Sequence, residues 1–429
     1  MNLSSYYKQI GGFKHYQNCR FCFSNNFTKV IDLGLVPLAG GFIKKNKYNN
    51  LIREEKFYPL EIFFCQNCFL LQTANVIDQD ILFTDYFYHS SSIKTLVDHF
   101  HKFVDETFHI LDKPEKSFLV EIGCNDASLI KAALKKGINA IGVDPAQNIV
   151  NPLIRKGIPI MNEYFTEQTS VKIIKKYEKA DIIFSSNTLA HIEDMHTVFK
   201  GIKKLLKKDG RLVFEVHYLG DLIRDFQYDM IYHEHQYYYS LLTLQKFLDT
   251  FNLKIYDISH IPIHAGSVRY YVKHKTYAKY PVTDRVKKLK KQEIEGGLHK
   301  LKTFTIFNKR IMKTKKNLLK LLNTLKNDNK KIAGYGASGR GTIMMNYCGL
   351  DTNYLEYVID DAPAKQGSFT PGTHLEIKNS KILYERNKPD YTLLFAWSFV
   401  EEIKRRNSEY LKKGGKFIIP LPEVQIISL

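Results

Sequence analysis

What this sequence lacks narrows its reading first. No run of about 18 apolar residues appears anywhere in the 429-residue chain, so no membrane span is expected. The N-terminus, MNLSSYYKQIGGFKHYQN, has no apolar run of signal-peptide length, which points to the cytoplasm. Six cysteines in a cytoplasmic chain are not a disulfide framework. Low-complexity tracts and short-period repeats are missing as well. Acidic residues are outnumbered by basic ones, 44 against 63, leaving a net charge of +19. That excess invites a nucleic-acid partner, but it is concentrated: from Asp284 to Lys331, 16 Lys or Arg face four Asp or Glu. In that stretch Leu318, Leu322 and Leu325 recur at helical spacing, so it reads as a basic helical linker with solvated lysines. No nucleic-acid partner is expected.

What is present describes a multidomain globular protein. The length is too great for one ordinary core, and the 44% hydrophobic and 13% aromatic content supplies several. Residues 1–75 alternate short strand-like runs (KVIDLG, YPLEIFFCQNCFLLQT) with turns, and a helical bridge over 76–115 follows. From SFLVEIG a β-α-β-α rhythm runs through SLIKAALKKG, INAIGVDP, a helix near 167–178, DIIFSSN, MHTVFKGIKKLLKKDG and RLVFEVHY. After the basic linker the alternation restarts with KKIAGYG, GTIMMNYCGL, YLEYVIDD, YTLLFAW, SFVEEIKRRNSEYLKKGG and KFIIPLP. The predicted class is α/β: a zinc-binding N-terminal module (1–75) and two Rossmann-like doubly wound domains (76–283 and 332–429), joined by the linker 284–331.

Four cysteines form two CxxC pairs, Cys19–Cys22 and Cys65–Cys68. Each pair puts two thiolates on one tight turn, and two such turns complete a closed tetrahedral site suited to structural zinc. The 42 residues between the pairs exceed the commonest ribbon spacing. Cys124 and Cys348 stand alone and read as small packing residues.

Two loops look able to take nucleotides. Val120–Ala127 leaves a strand and enters a helix, with Gly123 at the turn and Asp144 ending the next strand, 23 residues after Glu121. A glycine there admits a close backbone approach, and the carboxylate stands where Rossmann-type sites hold ribose. Without a full GxGxxG there is no cradle for a pyrophosphate, which favours a methyl donor over a dinucleotide. Gly334-Tyr335-Gly336-Ala337-Ser338-Gly339 is a formal GxGxxG, with Asp360 and Asp361 ending the following strand. Alone, it fits a second nucleotide site, an NAD site or a close-packed turn. Acid/base groups cluster in Tyr232-His233-Glu234-His235, and His191 follows another strand. HExxH spacing is absent. On an extended chain Tyr232 and Glu234 would share one side, His233 and His235 the other. A histidine suits removal of a carbon-bound proton near neutral pH, although a hydrogen-bonded core cluster is the alternative reading.

Taken together, CRFC, IDLGLVPLAGGF, YPLEIFFCQNCFLLQ, YFYHSSS, VEIGCNDA, GVDPA, SNTLAHI, YHEHQYYYS, HAGSVRYYV, GYGASGRG and NYCG span almost the whole chain. In these strings it resembles the bacterial deoxysugar C-methyltransferases that act on nucleotide-linked 4-keto-6-deoxy sugars. The resemblance implies zinc on Cys19, Cys22, Cys65 and Cys68. It implies S-adenosylmethionine held by Glu121, Gly123, Asn125, Asp126, Asp144 and Asn187. The nucleotide-linked sugar would fall to Tyr86, Tyr88, Gly334, Tyr335, Gly336, Ser338, Gly339 and Asp360. His235 would be the general base, assisted by Tyr232, Glu234 and His191. A C4 ketone acidifies the C3 hydrogen through an enolate, so C3 is the expected carbon. Ala127, Gly40 and Ala265 stand where the family usually has Gly, Asn and Gly, and Asp144 where it has Glu. The rivals are methylation of a sugar oxygen, an RNA-modifying enzyme and a non-catalytic scaffold, with a monomer as the simplest assembly.

Overall fold

The computed structural model describes residues 7–48, 52, 54–83, 89–92, 94–111, 113–263 and 266–429. Two units share the chain: Met1–Thr28, Phe64–Gly220 and Gln236–Lys300 form the first, and Lys29–Phe63, Asp221–His235 and Leu301–Leu429 the second. Tyr86 and Tyr88 lie outside the described residues.

The first unit is built on a seven-stranded sheet. Its strands are β1 (Phe118–Ile122), β2 (Asn139–Val143), β3 (Ile160–Met161), β4 (Ala180–Ser186), β5 (Leu206–His217), β6 (Leu253–Ile261) and β7 (Ser267–His274). They lie in the order β3-β2-β1-β4-β5-β7-β6, parallel up to β5, with β7 antiparallel to both its neighbours. β1 is buried along its whole length, as FLVEI requires of a central parallel strand. Alternate residues enter opposite faces. Phe118, Val120 and Ile122 pack in one core with α5 (Met195–Leu205) and α6 (Leu241–Asp249). Leu119 packs in the other, with α1 (Lys94–Ile110) and α2 (Ser128–Lys135). Between these helices in the chain run α3 (Gln147–Ile154) and α4 (Glu167–Lys176); α7 (Asp284–Glu295) comes last in the unit.

One boundary differs from the sequence reading. The helix expected through Gly210 stops at Leu205, and β5 begins at Leu206. Leu206 pairs with Ala180 and Arg211 with Ile182, so residues 207–210 bulge from the ladder. Gly210 fits there because a Cβ would lie 2.8 Å from the Ala180 carbonyl oxygen.

Both cysteine turns belong to this unit and share its core. Cys19, Phe21, Cys65 and Cys68 cluster with Tyr237, Tyr239 and Phe247, and the Phe21 and Phe247 rings stack at 3.8 Å. The strand Leu71–Thr73 pairs antiparallel with Tyr237–Tyr238.

In the second unit β8 (Ile332–Tyr335), β9 (Val358–Ile359), β10 (Ile377–Lys378), β11 (Tyr391–Leu394), β12 (Lys416–Ile419) and β13 (Gln425–Ile427) form a sheet in the order β10-β9-β8-β11-β12-β13. All pairs are parallel except β12 with β13. The basic segment forms two helices, α7 in the first unit and α8 (Leu301–Asn327) in the second. Leu318, Leu322 and Leu325 are buried on α8. α9 (Gly339–Cys348) follows the glycine loop. The single helix expected over 398–415 is two, α10 (Val400–Arg406) and α11 (Ser408–Lys412). Asn407 breaks it: its side chain donates to the Ile403 carbonyl at 2.9 Å and accepts from the Tyr384 hydroxyl, competing with the helical backbone. Cys124 and Cys348 are both buried, as packing residues should be. Among the described residues no helix is long and apolar enough to cross a membrane.

Candidate active site

The four knuckle thiols converge. Their sulfurs all lie within 4.8 Å of one another, with Cys19–Cys68 and Cys22–Cys65 each at 3.5 Å. Zinc with bonds of about 2.3 Å holds tetrahedral sulfurs roughly 3.8 Å apart, so the donor set fits that ion and leaves no open position. Both turns are built alike. Phe23 and Phe69, each four residues after a first cysteine, take φ of 59° and 70° and donate to the carbonyls of Cys19 and Cys65. Gln72 donates from Nε2 to the Cys19 sulfur at 3.1 Å.

Arg20, inside the first knuckle, is one of the largest fully buried side chains. Its guanidinium donates to Gln72 Oε1, the Thr73 carbonyl, and both the side-chain and main-chain oxygens of Gln236. The Tyr16 and Tyr237 rings lie 5.2 and 4.2 Å from it. Gln236 in turn donates to the His191 carbonyl at 2.9 Å. Sequence reasoning missed this arrangement, since one arginine between two cysteines carries no signal of its own.

The first sheet reverses its order between β1 and β4, where open α/β sheets bind ligands beyond their carboxyl ends. The 121–126 loop and Asn187 leave the sheet at that point. Gly123 has φ of 76°, and a Cβ there would lie 2.1 Å from Thr188 Oγ1, so close approach and backbone conformation both require glycine. Ala127 also adopts a left-handed φ, 58°, at a cost on the order of 1–2 kcal/mol for a residue with a Cβ. Asp144, buried at the end of β2, accepts from the Asn125 N–H at 2.8 Å and the Ala146 N–H at 2.9 Å. Burial nonetheless raises it above the usual carboxylate range. Glu121 is pushed well up by burial, then by the Asp144 and Asp126 charges, and its Oε2 finds no hydrogen-bond partner among the described residues.

Asn125 and Asp126 also hold the chain. Asn125 Oδ1 accepts from the Ser90 N–H at 3.0 Å, and Asp126 Oδ2 from the Ser91 N–H at 2.7 Å. Burial would raise Asp126, but hydrogen bonds from Ser128 and Ser91 outweigh it and keep the carboxyl low. Asn187 has φ of 53° and donates its N–H to the Glu215 carbonyl at 2.7 Å. The Glu215 carboxylate, fully buried on β5, takes His99 at 2.8 Å, Ser186 at 2.9 Å and Arg269 at 2.7 Å. An orphaned carboxylate oxygen, a glycine-dependent approach and a buried carboxylate at the strand ends make a polar cradle that fits the ribose and amino-acid portions of S-adenosylmethionine.

The YHEH segment departs from the extended reading. It is a turn closed by the His235 N–H to the Tyr232 carbonyl at 3.0 Å, which brings Tyr232 and His235 together rather than to opposite sides. The Tyr232 hydroxyl lies 2.8 Å from His235 Nε2, and His235 Nδ1 lies 2.9 Å from the Met230 carbonyl. A carbonyl only accepts, so neutral His235 carries its proton on Nδ1 and presents the Nε2 lone pair to the tyrosine hydroxyl. His233 turns away into a fully buried position edge-on to Tyr58, and burial lowers it to about 4. Burial raises Glu234 to about 7. The cluster falls in the second unit, whereas His191 falls in the first, its N–H bonded to the Thr188 carbonyl.

The second sheet reverses between β8 and β11, and the glycine loop leaves it there. Cβ atoms at Gly334 and Gly336 would lie 2.5 Å from the Phe395 ring and 2.8 Å from the Ala396 Cβ, so close packing alone accounts for both glycines. Gly339 has only Ala39 nearby, at 3.3 Å. Ser338 caps α9 by accepting from the Gly341 N–H. The Tyr335 hydroxyl donates to Asp361 at 2.7 Å, and Asp360 accepts from the Ala362 N–H at 2.8 Å. Beside this loop lies a set absent from the sequence reading: Asp229, Arg340 and Trp397.

Known protein families match the chain over three consecutive segments. Residues 19–83 match a zinc binding domain family, 87–258 a methyltransferase domain and 262–422 the C-methyltransferase C-terminal domain. The C-methyltransferase NovU of Streptomyces niveus is 30% identical over 410 residues, covering 96% of each chain. An S-adenosylmethionine-dependent methyltransferase from Clostridium acetobutylicum ATCC 824 overlays 41% of this chain and 91% of its own, at 17% identity and a TM-score of 0.32. Magnesium protoporphyrin IX methyltransferase of Synechocystis PCC 6803 overlays 45% and 91%, at 15% identity and a TM-score of 0.32. The chain belongs to the C-methyltransferase family and is an S-adenosylmethionine-dependent methyltransferase with a four-cysteine zinc-binding module.

Proposed function

We propose that this enzyme methylates C3 of a nucleotide-linked 4-keto-6-deoxy sugar, with His235 as the base. The observation that carries the reading is the orientation of His235 between the Met230 carbonyl and the Tyr232 hydroxyl. A ketone at C4 makes the C3 hydrogen acidic, and a neutral imidazole with an available lone pair on Nε2 is suited to remove it. Nε2 takes the C3 proton. The Tyr232 hydroxyl, freed when Nε2 becomes protonated, donates to the oxyanion growing on the C4 oxygen, a type of contact often worth about 3 kcal/mol. His191 is the second candidate donor for that oxygen, and the Met230 carbonyl and Tyr232 hydroxyl, not Glu234, orient His235. The donor, when bound, supplies an electrophilic methyl group; Asp144 and Glu121 hold its ribose and polar end, with Gly123, Asn125, Asp126 and Asn187 shaping the cradle. Ser338, Gly339 and the N-terminus of α9, with Gly334, Tyr335, Gly336 and Asp360, anchor the nucleotide of the sugar.

Deuterium exchange tests the reading. With the demethylated donor product bound, solvent deuterium should enter C3 of a nucleotide-linked 4-keto-6-deoxy sugar, and His235→Asn should abolish both exchange and methylation while preserving donor affinity. Exchange at the parent rate in that variant would remove His235 as the base. Turnover without exchange in any variant would move the methyl group to an oxygen.

A further inference from the structure

Asp229 lies in the short turn Tyr228–Met230, fully buried, and both of its carboxylate oxygens are engaged. Arg340 donates from Nε to Oδ2 at 2.9 Å and from Nη2 to Oδ1 at 3.0 Å, and the Trp397 indole N–H donates to Oδ2 at 2.8 Å. The guanidinium carbon stands 5.0 Å from the Trp397 ring centre, and Nη1 reaches the Ser398 hydroxyl at 3.3 Å. Arg340 is the second residue of α9 and Trp397 follows β11, so both donors come from the switch point of the six-stranded sheet. The next residue after Asp229 is Met230, whose carbonyl accepts the hydrogen bond from His235 Nδ1. Nearby contacts fix the same turn: Tyr228 meets the Tyr347 ring at 5.9 Å, and Phe226 meets Phe307 at 5.4 Å with Arg310 over its ring at 4.0 Å.

From this chain of contacts we propose that Arg340 and Asp229 are positioning residues for His235, acting through the Met230 peptide. A bidentate arginine–carboxylate pair fixes orientation as well as distance. A buried ion pair is a poor source of net stability, because desolvation cancels much of the attraction, so three donors converging on one carboxylate need another reason. Placement supplies it. The pair sets where the Met230 carbonyl points, and that carbonyl sets which ring nitrogen of His235 carries the proton. The role rests on His235 being the base, although its spectroscopic consequence does not.

The test uses Arg340→Gln, Arg340→Lys and Asp229→Asn in the full-length zinc-loaded enzyme. Nitrogen-15 spectra of histidine-labelled protein report the His235 tautomer and its titration midpoint, with the resonances assigned by their loss in His235→Asn. Arg340→Gln and Asp229→Asn should mix the tautomers, move the midpoint and lower kcat roughly ten- to a hundredfold. KM for the sugar nucleotide should change less, donor affinity should hold, and the acid limb of the kcat profile should move with the midpoint. Arg340→Lys keeps the charge but not the fork, and should recover only part of the loss; it also serves if Asp229→Asn does not fold. Unchanged His235 tautomer and midpoint in folded Arg340→Gln overturn the proposal, whatever happens to stability. If His235→Asn still exchanges deuterium, the base assignment falls, while a tautomer shift in Arg340→Gln still upholds the positioning.

Discussion

Arg20 donates from Nη1 to Oε1 of Gln236 at 2.7 Å, joining the inside of a cysteine knuckle to the residue that follows the candidate base in the chain. Among the described residues no carboxylate is within ion-pair distance of this buried guanidinium. A zinc ion on four thiolates carries a net charge of about −2, which offsets the cation without a carboxylate. Arg20→Met should therefore destabilise the zinc-loaded enzyme by roughly 3 kcal/mol, since several buried acceptors lose a charged donor together. Urea unfolding measures this. A cost below about 0.5 kcal/mol, the level of an ordinary surface substitution, would contradict it.

The purified enzyme should contain one zinc per chain, bound by Cys19, Cys22, Cys65 and Cys68. Because those cysteines share the core of the first unit, Cys19→Ser should lose the metal and lower Tm rather than only slow turnover. Full zinc content in that variant, measured by elemental analysis, would refute the site.

Asp144→Ala should weaken donor binding roughly ten- to a hundredfold, the loss expected when charge-assisted hydrogen bonds of about 1.5–3 kcal/mol are removed. Part of that loss comes from the loop itself, because Asp144 also fixes the Asn125 and Ala146 N–H groups. Calorimetry of donor binding measures it, and parent-like affinity would contradict the ribose assignment.

Glu215→Gln tests the support beneath the donor loop. Burial would raise this carboxyl, but His99 and Arg269 outweigh it and hold the group below its ordinary range. A depressed carboxylate contributes stability that is present above the unfolded pKa of about 4.3 and is lost as pH falls through the folded value. The stability gap between parent and variant should therefore be roughly 3–5 kcal/mol near neutral pH, the cost of breaking a buried pair, and should narrow below about pH 4. Thermal unfolding across pH 3–8 reads both; a gap that does not change with pH would rule out the ion-pair account.

Local patterns carried much of this protein into view. Each CxxC needs only three residues of spacing to form a knuckle, and the alternation of buried strands with amphipathic helices announces two doubly wound sheets. Gly123 and Asp144 follow the same logic, because the turn after β1 and the end of β2 are adjacent in any such sheet. The Tyr232–His235 contact was misread on an extended chain, since nothing in YHEH announces that the His235 N–H closes a turn onto the Tyr232 carbonyl. Pairings over long stretches of chain were invisible: Arg20 with Gln236 across 216 residues, Asp229 with Arg340 across 111 and His99 with Glu215 across 116. Residue types and short-range spacing settled which elements form and where thiolates, glycines and carboxylates fall along them. Which buried charge meets which donor was decided only by tertiary structure, because a charge removed from water must find its partner wherever the packed sheets bring one within hydrogen-bond reach.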